Sequence, residues 1–309
     1  MRIVLYALAL AGLLAMTLPE LPKPRREFRP AAGNGRVAAF SPNGSLVAVG
    51  GAAPVAVFQT GTGLLLRTYP GHTQPVTDLA FAPHPDTLLS ADAAGQVRLW
   101  NPETLATLAK WQAPGPLRAV AFAPGGGRAV LVGARGCWLW NLRGAAGPVL
   151  VKLTLPEKSS ITAVAFAPDG QRVALGFDSG VALVYHLGTG AQVRKALATT
   201  PVRSLCLHAD TLLAATGTPN LKSWPLQPGA AVAVLPLPHP LTALAIEPSG
   251  RTLALGFATG DAVLWNRANN RAEYECHGKG PTNRVQFQPG GDLLLAAYEA
   301  DGPKTWLIQ

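Results

Sequence analysis

An all-β ring of seven four-stranded antiparallel blades follows from three features of this 309-residue chain. An apolar residue closing a short β-prone run recurs at Phe40, Phe81, Phe122, Phe166, Leu207, Ile246 and Phe287, 39 to 44 residues apart. A second, aromatic series follows each of these after 17 to 19 residues, at Phe58, Trp100, Trp140, Tyr185, Trp224, Trp265 and Trp306. The third feature is composition: 33 Gly, 28 Pro, 48% apolar and only 14% charged residues. So much Gly and Pro is incompatible with long helices but suits many short strands joined by tight turns. Two independent series sharing one period of about 40 residues, with four β-prone runs in each unit, describe the blades of a β-propeller.

Ahead of the first unit, Met1-Arg2 precedes an uncharged apolar run from Ile3 to Leu18. One positive charge followed by an apolar core is the layout of a secretory signal. The run is slightly short for a membrane-spanning helix, which needs about 20 residues. Ala15 and Thr17 offer only a weak cleavage site before Pro19. Residues 1–18 are therefore read as a signal peptide or a membrane anchor and 19–24 as a Pro-rich linker, with 25–309 forming the propeller. The expected location is exported (periplasmic or extracellular) or membrane-anchored.

Within each unit the first turn is written as Ser41-Pro42-Asn43-Gly44, Ala167-Pro168-Asp169-Gly170 or Glu247-Pro248-Ser249-Gly250. Pro presets one turn dihedral and Gly supplies a positive φ, so the chain reverses tightly. The second run is apolar, as in Leu46 to Val49 and Arg172 to Leu175, and the third ends in the aromatic series. A weaker fourth run closes the unit: Leu64 to Tyr69, Thr104 to Trp111, Val193 to Leu197. The last unit has only three runs before Gln309, while Arg25 to Arg29 stands unpaired before the first and aligns with the fourth-run sequence Leu66 to Pro70. Joining the two ends in one blade hides edges that an open array would expose.

Composition also restricts function. The net charge of +9 comes from 26 Lys and Arg dispersed with no run longer than Arg25-Arg26; a nucleic-acid binder clusters them on one element, so no nucleic-acid partner is expected. Cys137, Cys206 and Cys276 lie far apart inside apolar runs, which fits packing rather than a disulfide framework or a zinc site. The six histidines (His72, His84, His186, His208, His239 and His277) show no metal-ligand spacing within one element. His84 and His208 fall in equivalent first turns. No Gly-rich phosphate loop opens a helix. No catalytic residue, metal or cofactor is therefore assigned.

Gly71-His72, Ala80-Phe81-Ala82-Pro83 and Leu99-Trp100-Asn101 together resemble a WD40 repeat, with weaker echoes at residues 165–170 and in Trp140-Asn141 and Trp265-Asn266. The resemblance covers roughly residues 25–309 and implies the propeller architecture. In that family a loop His, a Ser or Thr on the second strand, an Asp six residues before the aromatic, and the Trp form a hydrogen-bonded tetrad. Here the Asp position reads Ala52, Ala94, Ala134, Ser179, Thr218, Thr259 and Ala300. The best copy supplies only His72, Ser90 and Trp100. The expectation is that the tetrad Asp is absent throughout and that apolar packing holds the blades.

Four residues before each member of the Phe series stand Arg36, Thr77, Arg118, Thr162, Arg203, Thr242 and Asn283. The resemblance implies that this position rims the channel on the narrow top face, where partners bind. Guanidinium groups converging there can grip carboxylates or phosphate through charge-assisted bonds. Pro75, Pro116, Pro201, Pro240 and Pro281 stiffen the same rim. Asp178 and Glu299 are predicted on neighbouring top loops, as pairing partners for these arginines. The expected function is a non-enzymatic scaffold, monomeric, binding a protein or acidic peptide through Arg36, Arg118, Arg203, Thr77, Thr162 and Thr242. The N-terminal segment would serve as a membrane tether if uncleaved. The alternative is an exported propeller enzyme, hydrolase or lactonase-like, with a metal site in the channel.

Overall fold

The computed structural model describes residues 24–30, 35–52, 54–83, 87–142, 149–155, 159–227 and 229–308. The expected signal or anchor at 1–18, all but the last residue of the 19–24 linker, and His84 lie outside them. The described chain forms seven separate four-stranded antiparallel sheets. Blade 1 comprises Gly35–Phe40, Leu46–Gly51, Val55–Gln59 and Leu65–Tyr69; blade 2, Val76–Phe81, Leu88–Asp92, Gln96–Trp100 and Thr107–Gln112. Blade 3 comprises Leu117–Phe122, Arg128–Gly133, Gly136–Asn141 and Val149–Lys152; blade 4, Ile161–Phe166, Arg172–Phe177, Val181–His186 and Gln192–Ala196. Blade 5 comprises Ser204–His208, Thr211–Ala215, Asn220–Pro225 and Ala233–Pro236; blade 6, Leu241–Ile246, Thr252–Phe257, Asp261–Asn266 and Arg271–His277. Blade 7 takes Thr282–Phe287, Leu293–Tyr298 and Gly302–Leu307 from one end of the chain and Arg26–Glu27 from the other.

That closure matches the pairing read from the termini. Arg26 lies opposite Thr305 and Glu27 opposite Lys304. Backbone bonds from Arg25 N to Thr305 O (2.7 Å) and from Phe28 N to Pro303 O (3.0 Å) extend the seam. Phe28 is fully buried and meets Phe58 edge-on at 5.5 Å. The predicted first turns form as written: Gly44, Gly170 and Gly250 have φ of 69°, 64° and 76°, a region that costs a residue with a Cβ. One strand begins later than its apolar pattern predicts. Asn101 Oδ1 accepts from the Glu103 and Thr104 amides, Leu105 takes a φ of 62°, and blade 2's outermost strand starts only at Thr107. An Asx turn has displaced the run's first residues.

The core is seven clusters rather than one, each filling the interface between two neighbouring blades. The aromatic series is buried in these clusters at every position except Tyr185, which is half-buried. Cys137 and Cys276 are buried and Cys206 is half-buried, all as free thiols. Burial pushes Cys206 and Cys276 up to about 12 and Cys137 higher still, so these are packing residues without nucleophilic character.

Candidate functional site

In six blades the innermost strand slips in register immediately after its first residue. The residues skipped are Arg36, Thr77, Arg118, Thr162, Thr242 and Asn283, which are the rim positions singled out in the sequence. A β-bulge leaves its extra residue out of the ladder and re-aims the side chain. Blade 5 differs: its ladder begins at Ser204, and Arg203 just before it donates its amide to Ala215 O at 2.8 Å.

The structure brings four of the six predicted residues together. Arg118, Thr162, Arg203 and Thr242 line a cavity of about 580 Å³ at the channel mouth, together with Asp178, Glu299 and the rim prolines Pro201, Pro240 and Pro281. Arg36 is exposed on blade 1, away from this cavity's lining, and Thr77 faces the channel instead. The threonine hydroxyls have structural partners. Thr162 Oγ1 lies 3.1 Å from Gly176 O and 2.6 Å from Val202 O; Thr242 Oγ1 lies 2.9 Å from Gly256 O and 2.8 Å from Thr282 O. Each thereby ties its own blade to the next. Thr77 Oγ1 donates to Ala91 O at 3.2 Å. The expected pairing of the arginines with Asp178 and Glu299 does not form: among the described residues no carboxylate holds Arg118 or Arg203, and Asp178 Oδ1 accepts from the Ser160 amide at 3.2 Å.

Below the mouth lies a channel of about 510 Å³. The inward edge of each innermost strand has no neighbouring strand, so its amides need other acceptors. Side chains of the preceding blade supply three of them. Asp78 Oδ2 accepts from Val120 N at 2.9 Å, Ser204 Oγ from Leu244 N at 3.2 Å, and Gln286 Oε1 from Phe40 N at 3.3 Å. Arg284 of blade 7 reaches past blade 1 to form an ion pair with Asp78 of blade 2. None of these residues is a sequence-level candidate. The signal for three of them is that Asp78, Ser204 and Arg284 stand where other copies carry Val37, Ala119, Ala163 and Ala243. For the channel-metal alternative the described lining offers a single carboxylate, Asp78, already engaged by Arg284.

Blade 2 lacks an Asp at the tetrad position, which is Ala94, but it corrects the expectation that apolar packing alone holds every blade. His72 Nδ1 lies 2.9 Å from Asp92 Oδ2, His72 Nε2 lies 2.7 Å from Ser90 Oγ, and Trp100 Nε1 donates to Ser90 Oγ at 3.2 Å. The carboxylate comes from the end of the second strand, eight residues before Trp100, rather than from Ala94 in the turn. Asp92 Oδ1 reaches forward to accept from the Ala94 and Gln96 amides at 3.0 and 2.9 Å, so one side chain serves turn and network together. An ionised carboxylate can only accept, so the proton of neutral His72 sits on Nδ1, facing Asp92, and bare Nε2 accepts from the Ser90 hydroxyl, which in turn accepts from the indole. Burial, opposed in part by Asp92, holds the His72 pKa below its ordinary 6.5, consistent with that tautomer. His277 pairs with Asp261 of its own blade at 2.7 Å.

Residues 63–101, which contain this network, match the family described as "WD domain, G-beta repeat". The chain is a β-propeller whose second blade carries a WD40-type repeat. Its similarity to curated proteins includes 29% identity over 164 residues with telomerase protein component 1 of Mus musculus, covering 50% of this chain and 6% of that protein. It also includes 27% identity over 270 residues with pre-mRNA-processing factor 19 homolog 2 of Arabidopsis thaliana, covering 82% of this chain and 50% of that one. The propeller thus spans a small part of the first relative and half of the second. In fold it resembles the crystal structure of the Cps50 (Swd1) β-propeller domain from Myceliophteria thermophila. The TM-score is 0.75 at 17% identity, covering 91% of this chain and 99% of that one. The architecture is a scaffold of the kind typically used for protein interaction.

Proposed function

We propose that this WD40-type propeller is a non-enzymatic scaffold that binds a protein or peptide segment carrying acidic side chains at its top face. The observation that carries this is the cavity of about 580 Å³ in which Arg118 and Arg203 stand without a carboxylate partner among the described residues. Guanidinium groups that converge unpaired on one cavity favour bidentate recognition of carboxylates. Asp178 and Glu299 on the same wall add a place for a basic or amide group of the same segment. Thr162 and Thr242 set the spacing by pinning adjacent blades, and Arg36, on blade 1 next to the blade 7 wall but outside the cavity lining, contacts a longer partner only. Relatives named as a telomerase protein component and as a subunit of eukaryotic translation initiation factor 3 support a role as one part of an assembly.

The test is capture of partners by wild type and by the Arg118→Ala, Arg203→Ala double variant, followed by titration with the peptide so identified. Binding is expected to weaken at least tenfold in the double variant and to fall with added salt. Partner capture unchanged by the substitutions would overturn the site. Location outside the cytoplasm, with residues 1–18 as signal or tether, belongs to the same reading; it rests on the apolar run Ile3 to Leu18. Fractionation with N-terminal sequencing of the mature chain tests it, and an intact N-terminus in the soluble cytoplasmic fraction would reject it.

A further inference from the structure

Blade 6 carries a group of side chains that plays no part in the top-face cavity. Its third and fourth strands pair with Asp261 opposite His277 and Val263 opposite Glu275. Alternate residues of a strand share a face, as do directly opposed ones, so Asp261, Glu275 and His277 project from one face. They sit at the end of the blade next to Ala258 and Pro281, two residues of the cavity wall. One donor atom from each of the three lies within 4.8 Å of the others. His277 Nδ1 is 2.7 Å from Asp261 Oδ1, and Thr259 Oγ1 donates to Asp261 Oδ2 at 2.6 Å. A carboxylate steadied by a hydrogen bond on its other oxygen is the arrangement that orients metal-ligating carboxylates.

We propose that Asp261, Glu275 and His277 form a site for one zinc-class divalent ion. The donor set decides the class of ion: an imidazole beside two carboxylates suits zinc, whereas calcium and magnesium take oxygen ligands and more of them. With zinc about 2.0–2.1 Å from each donor, a tetrahedral edge is about 3.3 Å, so His277 and Asp261 need only spread slightly from their present 2.7 Å. The proton they share is the one the ion displaces, so binding releases a proton. The ladder between the two strands holds the donors in place beforehand. Three protein ligands leave a fourth position open for water or a partner's side chain.

The repeat does not impose this set. The pairs equivalent to Asp261 and His277 are Val55 with Tyr69, Gln96 with Gln112, Val181 with Ala196 and Asn220 with Pro236, none of which binds metal. In the sequence its signal is the alternation Glu275-Cys276-His277, and Asp261 joins only once the partner strand is known. An expectation of no metal ligands based on spacing within single elements passes over it.

The experiment is isothermal titration of chelator-treated full-length protein with zinc chloride, paired with thermal unfolding. Wild type is expected to take up one equivalent reversibly, with a raised unfolding temperature and no such response to magnesium or calcium. His277→Ala, Asp261→Asn and Glu275→Gln are each expected to weaken zinc binding at least tenfold, while the Arg118→Ala, Arg203→Ala protein keeps it. Absence of zinc uptake by wild type would overturn the site, as would equal uptake by the His277→Ala and Asp261→Asn proteins through other histidines. His277 is half-exposed, so the unfolding temperature of its metal-free variant should match wild type; should Asp261→Asn fail to fold, His277→Gln decides.

Discussion

Blades 2 and 6 solve the same packing problem with opposite chemistry. Ten and eight residues before their tryptophans, blade 2 places Ser90 and Asp92 and blade 6 places Leu255 and Phe257. All four are buried. In blade 2 the loop histidine, His72, closes a chain of polar contacts with Asp92 and Ser90. In blade 6 a loop histidine, His239, sits two residues out of step and meets the Phe257 ring edge-on at 6.3 Å. Burying an apolar side chain contributes about 1.5–3 kcal/mol, whereas a hydrogen bond contributes about 0.5–1.5 kcal/mol net. Replacing a buried polar set by well-packed apolar residues is therefore often neutral. Blade backbone geometry does not depend on the polar network; the network is one of two ways to fill the same volume. What distinguishes them is how they fail. The apolar filling loses contact area when trimmed, and the polar one leaves unpaired buried groups.

Trimming the apolar side should produce the largest effect. Phe257→Ala is expected to destabilise the ring by about 3–5 kcal/mol, read as a drop in the urea midpoint; a loss under 1 kcal/mol would show that blade 6 does not rely on this ring. Asp92→Ala is expected to cost about 2–4 kcal/mol, because it strips partners from His72 and from two turn amides at once. The combined replacement His72→Leu, Ser90→Leu, Asp92→Phe, which writes blade 6 chemistry into blade 2, should cost less than Asp92→Ala alone in the same assay. A larger loss would mean that the two solutions are not interchangeable.

Acidity separates the two blades more gently. The folded-state pKa of His72 is depressed below 6.5, so the unfolded chain binds the proton first. His72 therefore contributes full stability above about pH 6.5, lost as pH falls until the folded histidine titrates too. A His72→Gln protein should show a shallower decline in unfolding temperature between pH 7 and pH 5 than wild type, and an unchanged slope would refute the neutral buried tautomer. Smallest of all, Arg118→Ala with Arg203→Ala should move stability by no more than about 0.5 kcal/mol. Among the described residues no carboxylate pairs with those side chains, so a larger shift would mean that they serve the frame and not a ligand.

The ring was legible because its signals are periodic. Phe40 and its equivalents and the Trp100 series each repeat seven times and the Pro-Gly turn five times, and chance does not repeat that way. The rim positions were legible for the same reason, although the bulge that re-aims Arg36 or Arg118 leaves no mark in composition. Asp92 is invisible to a fixed offset from Trp100 because the carboxylate stands on the strand before the turn rather than in the turn itself, without changing what it touches. The Asp78 and Arg284 pair escaped for a different reason. The two lie 206 positions apart, and they become neighbours only after the seam brings blade 7 round to blade 1. Asp261, Glu275 and His277 needed a cross-strand register, which periodicity predicts only loosely.

The seam also sets a timetable. Arg26 leaves the ribosome long before Thr305, its partner across the ladder, and at about 5–20 residues per second the interval is roughly 15–60 s. Throughout it, Phe28, Val47, Val49 and Phe58 wait for Leu293, Leu295 and Ala297, with which they share one cluster. Six blades can stack in order as they emerge, but the first face made is the last to be covered. A nascent chain of this protein thus carries an apolar flank at its oldest end, and a chaperone acting during its synthesis would find its work there.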